Sequence, residues 1–398
     1  MNVNAPAKSG LAIPFDHQRL DRLMDEAGID VLLATSKHNV QYLLGGHRAN
    51  FFDVMDATGI SRYLPVFVYP KGQPERCAYI AHRLEGFQHQ VKPLWTPETQ
   101  TVTAGSTDAM QRAVDYMRKV GLAPRRIAAE YGFLPFDAAN VLRGAFPDAE
   151  WVDALYVLER QRAKKSAAEL VLLKRASEAV LGAMQAVIAK HGPGSTKNEV
   201  VESLRREETN RGLSFEYCLI TCGTSMNRAP SDQRWEKGEI MSIDSGGNYH
   251  GYIGDITRMA IQGEPDAELE DLLGEVEAIQ RAAMKPIRAG AMGHEIYDAG
   301  EPLKTRSKHH NNLEFLAHGM GMVSHEAPRL TDRGPVPYPA DDANRPLEAG
   351  MVVSVETTLK HPARGFIKLE DTVVVTDGGF EIYGEGGRGW NRAGTAAR

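Results

Sequence analysis

The stretch "MSIDSGGNYHGYIGDITRMA", residues 241–260, constrains this chain more than any other. Two apolar, strand-like runs are joined by a Gly/Tyr-rich turn, and the only carboxylates, Asp244 and Asp255, each stand at the end of one run. Three further places repeat the theme: "AHGMGMVSHEAP" with His318 and His325, "VVSVETT" with Glu356, and "IKLEDTVVV" with Glu370. Burying that many ionised carboxylates without partners costs several kcal/mol each, and the lysines are too few to pair them all. Divalent cations resolve the conflict. Carboxylate oxygens with one imidazole suit Mn²⁺, Fe²⁺, Co²⁺ or Zn²⁺ better than a thiolate site would. Four carboxylates and one imidazole exceed the needs of one tetrahedral ion, which points to two ions sharing carboxylates.

The remaining chain supplies the frame. Its 398 residues are more than one compact core usually takes, so two domains are expected. "PFDHQRLDRLMDEAGIDVLLATS" predicts an amphipathic helix over 16–27, closed by Gly28, and a strand over 31–35. "YLPVFVYP", "RCAYIAH" and "RRIAAEY" predict further strands, and "TDAMQRAVDYMRKVGL" a helix stopping at Gly121. Strands alternating with helices indicate an α/β N-terminal domain, placed at residues 1–158. Beyond it a long helix is predicted over 167–190, then helices near 267–287 and 294–303, with the strands clustered separately. That is an α+β C-terminal domain, residues 159–398.

Hydrophobic content of 42% and charged content of 25% are those of an ordinary soluble protein. A net charge of −6 argues against a nucleic-acid partner held by phosphate neutralisation. Three cysteines without a CxxC pair fit a reducing compartment. No apolar run approaches the ~18 residues of a membrane span, and the N-terminus has no apolar h-region, so no membrane partner and a cytoplasmic location are expected.

The order Asp–Asp–His–Glu–Glu, carried by "IDSGGNYHGYIGDITR", "HGMGMVSHEAP", "GMVVSVE" and "KLEDTVVVT", resembles the pita-bread metallohydrolases, the M24 peptidases of the prolidase, aminopeptidase P and creatinase branch. "TSKHNVQYLLGG" is similar to the strand–turn–helix of that branch's N-terminal domain, and "ERQRAKKSAAELVLLKRA" to its linker helix. The resemblance implies a pita-bread catalytic domain behind a creatinase/prolidase-like one, and a dinuclear hydrolase of C–N bonds, Xaa-Pro dipeptidase or aminopeptidase-like. Asp244 would chelate the first of two divalent ions (Mn, Co, Zn or Fe), Asp255 and Glu370 would bridge both, and His318 and Glu356 would complete the second. An activated water would attack, Glu356 would shuttle its proton, and His325 would hydrogen-bond the oxyanion. Thr257 would orient a carboxylate, while Arg258 reads as a paired structural cation. A homodimer is also implied.

Three departures bear on specificity. The resemblance implies a catalytic histidine upstream of Asp244, but "CGTSMNRAPSDQRWEKGEIMSID" has none and offers Asn227 or Arg228. Thr357–Thr358 follow Glu356 where the family commonly has Pro–Gly, and Lys368 stands where the aminopeptidase P branch commonly has arginine. A lysine cannot make the planar two-point contact of an arginine. These departures keep open a second reading on the same fold, a creatinase-like amidinohydrolase or a lyase acting on a small molecule. Further substrate-pocket candidates are Tyr252 and Arg329, then Tyr249, Trp235 and Arg364; His47, Arg48 and Phe51 follow the "YLLGG" turn. "GEGGRG" has too little chain after it to form a dinucleotide crossover, His309 and His310 read as a solvated loop, and "RQRAKK" as a solvated helix start.

Overall fold

The computed structural model describes residues 12–49, 54–59, 61–333 and 339–395. The chain divides into two units, Met1–Gln161 and Arg162–Arg398. Phe51 lies outside the described residues.

The first unit is built on a mixed six-stranded sheet. Its strands are β1 (Val31–Ala34), β2 (Val66–Pro70), β3 (Ala78–His82), β4 (Glu98–Thr103), β5 (Arg126–Ala129) and β6 (Glu150–Asp153), in the order β4-β3-β2-β1-β5-β6. Around it lie α1 (His17–Glu26), α2 (Lys37–Leu43), α3 (Met55–Thr58), α4 (Gly86–Val91), α5 (Ser106–Lys119), α6 (Phe136–Ala145) and α7 (Leu155–Ala163), which runs across the division. β1 is apolar throughout and buried because cores lie on both of its faces, Leu32 and Ala34 in one, Val31 and Leu33 in the other. Asp16 caps α1 by accepting from the Arg19 amide, so the helix begins where the sequence places it. His47 is buried beside Glu85, and Arg48 donates to Gln41.

The second unit opens with α8 (Ala167–Lys190), whose start is set by a reciprocal capping box between Ser166 and Glu169. α9 (Lys197–Asn210), α10 (Ala267–Met284) and α11 (Glu295–Arg306) complete its helices. Its eight-stranded sheet has the order β12-β13-β14-β11-β10-β8, from β8 (Ser214–Cys222), β10 (Ile240–Tyr249), β11 (Tyr252–Ile261), β12 (Leu313–Gly319), β13 (Val352–His361) and β14 (Gly365–Val375). β15 (Phe380–Tyr383) pairs with β14 and β16 (Asn391–Arg392) with β11, while β7 (Ser195–Thr196) and β9 (Arg234–Trp235) form a separate ribbon.

Register decides what each face carries. Ile243 and Ile256 pack with Val180, Met184 and Val187 of α8 in one core; Val353, Val355, Ile367 and Leu369 pack with Leu272, Val276 and Ile279 of α10 in another. Side chains alternate along a strand, so the residues between these point to the opposite face. Asp244 pairs with Thr257, Asp255 with Gly246, Thr257 with Glu370, Glu370 with Glu356, and His318 with Ser354. The acids and the histidine, distant in sequence, therefore share one face of four adjoining strands and β10.

Behind this sheet Glu208 of α9 is fully buried, with Ser245 Oγ 3.0 Å from its Oε1 and no partner for its Oε2. Burial pushes its pKa from 4.5 up to about 8. Between those values the folded protein keeps a proton that the unfolded chain has released. Its contribution is thus full below pH 4.5 and is lost as pH rises through about 8. Glu208→Gln is expected to flatten this slope and to raise stability relative to wild type at pH 9, each tenfold change in proton affinity carrying about 1.4 kcal/mol. Urea denaturation at pH 5 and pH 9 checks it; equal pH slopes for both proteins would show that Glu208 does not titrate in this range.

Candidate active site

Three side chains distant in sequence converge on one face of the sheet. One ligand atom from each of Asp255, His318 and Glu370 lies within 4.8 Å of the other two, and all three residues are buried. The His318 Nδ1 lies 3.2 Å from the Gly319 carbonyl. Donation there assigns a proton to Nδ1 and turns Nε2 into the site. That Nε2 and Asp255 Oδ1 are buried with no hydrogen-bond partner. Buried polar atoms are seldom left so. Glu370 and Glu356 hold the His318 pKa above its ordinary value, and an imidazole among carboxylates is a donor set that a divalent cation binds by displacing that proton. The donor set fits a metal ion.

Glu370 is oriented from both sides. Its Oε1 accepts from Ser354 Oγ at 2.7 Å and its Oε2 from Thr257 Oγ1 at 2.8 Å. Burial raises its pKa, but the Lys368 ammonium and His318 outweigh burial and hold it well below the usual carboxylate range. At Asp255 the charge of Lys368 is not enough to offset burial. Burial, then the charges of Glu370 and Asp244, push it well above the normal value, and the Tyr217 hydroxyl hydrogen-bonds it. Tyr217 comes this close because Gly246 stands opposite: a Cβ at Gly246 would lie 2.3 Å from the Tyr217 ring. The sequence reading missed Tyr217. Its available signal was an aromatic in a strand that must pair with the Gly-containing run after Asp244.

Asp244 and Glu356 are differently placed. Lys368 Nζ lies 2.7 Å from Asp244 Oδ2 and 2.9 Å from Glu370 Oε2, and it also pairs with Glu356 Oε2. Burial disfavours this ammonium, but Asp244, Glu356 and Glu370 raise its pKa well above normal. Asp244 also receives Arg228 Nη2, whose guanidinium sits 5.1 Å over the Phe366 ring. Of the two upstream candidates, Arg228 therefore reaches the site. Asn227 does not: it is exposed, and its side chain accepts locally from the Ala229 amide.

His325 stacks on His318, with ring centroids 3.8 Å apart and planes at 11°. Desolvation of its inner face, then the neighbouring His318, lower its pKa to about 4, so it is neutral near pH 7 and retains an N–H to donate. A cavity of about 700 Å³ adjoins the site; Arg228, Tyr297, Glu356, Phe366 and Lys368 are among its lining, while Asp255, His318 and Glu370 lie behind them.

Several expectations meet a different arrangement. Tyr252 is buried and donates to Glu169, and it is not among the residues lining that cavity. Arg329 is likewise absent from the lining; its amide donates to Asp342, and its charge is felt by His325. Trp235 is fully buried with its indole N–H on the Glu239 carbonyl, Tyr249 packs edge-on against His250, and Arg364 pairs with Asp266 and Glu268. His309 is bound to Glu275 and His310 to the Ser307 carbonyl. Arg258 is a structural cation, fully buried against Asp371 and the carbonyls of Gly384 and Gly386.

The "RQRAKK" run is not a solvated helix start. Arg162 and Lys165 are buried, and both pair with Glu326, at 2.8 and 3.1 Å. The next-door carboxylate to His325 is thus the anchor of a buried triad, whose only sequence signal was an acid inside an otherwise apolar "HEAP" loop.

A sheet face carrying carboxylates and a histidine with open ligand atoms, beside a cavity, is what a metallohydrolase needs. The model of metallopeptidase family M24 matches residues 171–377, and that of the creatinase/prolidase N-terminal domain matches 17–164. The chain belongs to metallopeptidase family M24, a family of metal-dependent enzymes, and has its pita-bread fold behind a creatinase-type N-terminal domain. It is similar to the uncharacterised peptidase YqhT of Bacillus subtilis, 26% identical over 91% of this chain and 95% of that one. It is also similar to the probable dipeptidase PepE of Mycobacterium tuberculosis, 28% identical over 89% of each. Among solved structures, an Xaa-Pro dipeptidase from Bacillus anthracis superposes with a TM-score of 0.79 at 23% identity, covering 94% of this chain and 98% of that one. The prolidase of Pyrococcus horikoshii gives 0.74 at 21%, covering 93% and 97%.

Proposed function

We propose that this chain is a metal-dependent hydrolase that cleaves the amide bond before proline, as an Xaa-Pro dipeptidase or aminopeptidase. The observation that carries the reading is the convergence of partnerless Asp255 Oδ1 and His318 Nε2 on Glu370, beside a cavity that Glu356 and Lys368, the neighbours of Glu370, help to line. The names of the similar proteins, a probable dipeptidase and Xaa-Pro dipeptidases, supply the substrate class.

Asp255, His318 and Glu370 would hold the divalent ion, which when bound supplies Lewis acidity toward the attacking water and the scissile carbonyl. Glu356 borders the cavity and is positioned to take the water's proton and return it to the leaving nitrogen as the C–N bond breaks. His325, neutral and stacked beside the site, donates to the oxyanion that develops on the carbonyl. Arg228, held on Asp244 and over Phe366, occupies the upstream position and faces the substrate cavity. Thr257 and Ser354 keep Glu370 in its orientation.

The homodimer expected from the resemblance and the cytoplasmic location expected from the sequence belong to this reading. No described helix is long and apolar enough to cross a membrane, and light scattering on the purified protein tests the dimer. The activity is tested with a panel of X-Pro dipeptides under Mn²⁺, Co²⁺ and Zn²⁺, before and after chelation. Turnover that chelator abolishes and metal restores supports it. Bound metal without cleavage of any dipeptide transfers the site to a small amide or another non-peptide substrate, the creatinase-like or lyase reading. His325→Ala is expected to reduce kcat by about 10²–10³ with little change in KM, the loss of an oxyanion donor. A rise in KM at constant kcat would instead make His325 a binding residue.

A further inference from the structure

We propose that the Lys368 ammonium is the built-in counter-cation of Asp244 and Glu356, so that the centre takes one divalent ion, on Asp255, His318 and Glu370. This rests on the metal-dependent reading above but departs from the two ions that the family resemblance implies.

The strand geometry comes first. Lys368 and Glu370 stand two residues apart on β14, so both project to the same face. The register with β13 places Lys368 opposite Thr358 and Glu370 opposite Glu356, which brings the ammonium between the carboxylates rather than beside them. An ammonium has three N–H donors. Here three carboxylates, those of Asp244, Glu356 and Glu370, are within pairing distance of it. The side chain is only 6% exposed, so these contacts lie away from bulk solvent, where charge pairs are least screened.

Charge balance leads to the same result. With Asp255 ionised, as a metal ligand must be, the site holds the carboxylates of Asp244, Asp255, Glu356 and Glu370, and the cations of Lys368 and of Arg228, whose side chain is 34% exposed. Four negative charges against two positive ones leave two uncompensated, the charge of a single divalent ion. A second divalent ion would give a buried excess of positive charge unless Lys368 left all three of its partners, and uncompensated buried charge is costly.

The pattern of satisfied and unsatisfied atoms separates the ligands in the same way. Asp255 Oδ1 and His318 Nε2 are buried without partners, whereas the contacting oxygens of Asp244 and Glu356 are already engaged by Lys368 or Arg228. Glu370 belongs to both sets, with one oxygen toward Lys368 and the other 3.7 Å from His318 Nε2. It is the hinge between an internal cation and an external one.

The test counts ions. Full-length protein is stripped with chelator, dialysed against excess Mn²⁺, freed of unbound metal, and analysed for metal per chain by plasma mass spectrometry. Wild type is expected to hold about one ion, and Lys368→Met about two, because removing the ammonium frees Asp244 and Glu356 as ligands. Should Lys368→Met fail to fold, Asp244→Asn decides: it is expected to keep its ion, while Asp255→Asn and His318→Ala lose theirs. About two ions in wild type, none at saturating Mn²⁺, loss of the ion in Asp244→Asn, or a folded Lys368→Met still at one would each overturn the proposal. Dipeptide turnover is scored separately. A one-ion protein that cleaves no X-Pro bond keeps this inference and rejects the peptidase reading. A two-ion protein that does cleave rejects this inference and keeps the peptidase reading.

Discussion

Asp255→Asn is expected to abolish metal-dependent turnover while making the metal-free protein more stable than wild type. The substitution is isosteric, and its amide oxygen can still accept from Tyr217. What it removes is a buried negative charge whose Oδ1 has no partner and whose neighbours Glu370 and Asp244 repel it. Without an ion, that charge opposes folding, so neutralising it stabilises. With an ion, the same charge is a ligand. Loss of residues that merely orient ligands costs about 10–100-fold in metal affinity or activity, so loss of the ligand itself should exceed ~100-fold. The two effects separate in a thermal melt. Wild type should gain stability with Mn²⁺, by roughly 2.7 kcal/mol at a hundredfold excess over Kd, and Asp255→Asn should show no response. A variant that is less stable than wild type in chelator would assign Asp255 to the fold rather than to a metal.

The five-residue pattern was legible because each member is an exception to its surroundings. An acid amid Val, Ile and Met has to be explained chemically, wherever the strands fall in space. Helix limits were legible where a cap fixes them, as Ser166 and Glu169 do for α8, and less so where the helix frays: the one predicted from 267 ends at Met284, and the one predicted to 303 runs to Arg306. What could not be read was any feature set by register or by long-range contact. Lys368 looked like an altered specificity residue. Its position among three carboxylates depends on how β14 pairs with β13 and β11. "GEGGRG" had no visible purpose, yet the carbonyls of Gly384 and Gly386 receive the Arg258 guanidinium. Arg162 and Lys165 looked solvated for the same reason: charge runs usually are, and nothing local reveals a carboxylate from more than a hundred residues away.

That carboxylate, Glu326, carries the other large prediction. Glu326→Ala should destabilise the second unit by about 3–5 kcal/mol, since it strands two buried cations rather than one. For a unit of this size the melting temperature should fall by roughly 6–20 °C. The contacts are short and dry: Glu326, Arg162 and Lys165 side chains are each 2% exposed or less. Replacing all three with apolar residues of similar volume should restore much of the loss, because such a set has neither charge to desolvate nor partner to miss. The position also links stability to chemistry. The Glu326 amide donates to the Gly319 carbonyl at 2.9 Å, closing the loop that stacks His325 over His318. Alanine keeps that amide but loses the side-chain contacts to Arg162 and Lys165 that fix the loop. Glu326→Ala should therefore lower kcat in the fraction that remains folded, and the apolar triple variant should recover stability more fully than turnover. A Glu326→Ala protein that melts within a degree or two of wild type would mean that Arg162 and Lys165 find another counter-charge, and the triad would not be what holds the His325 loop in place.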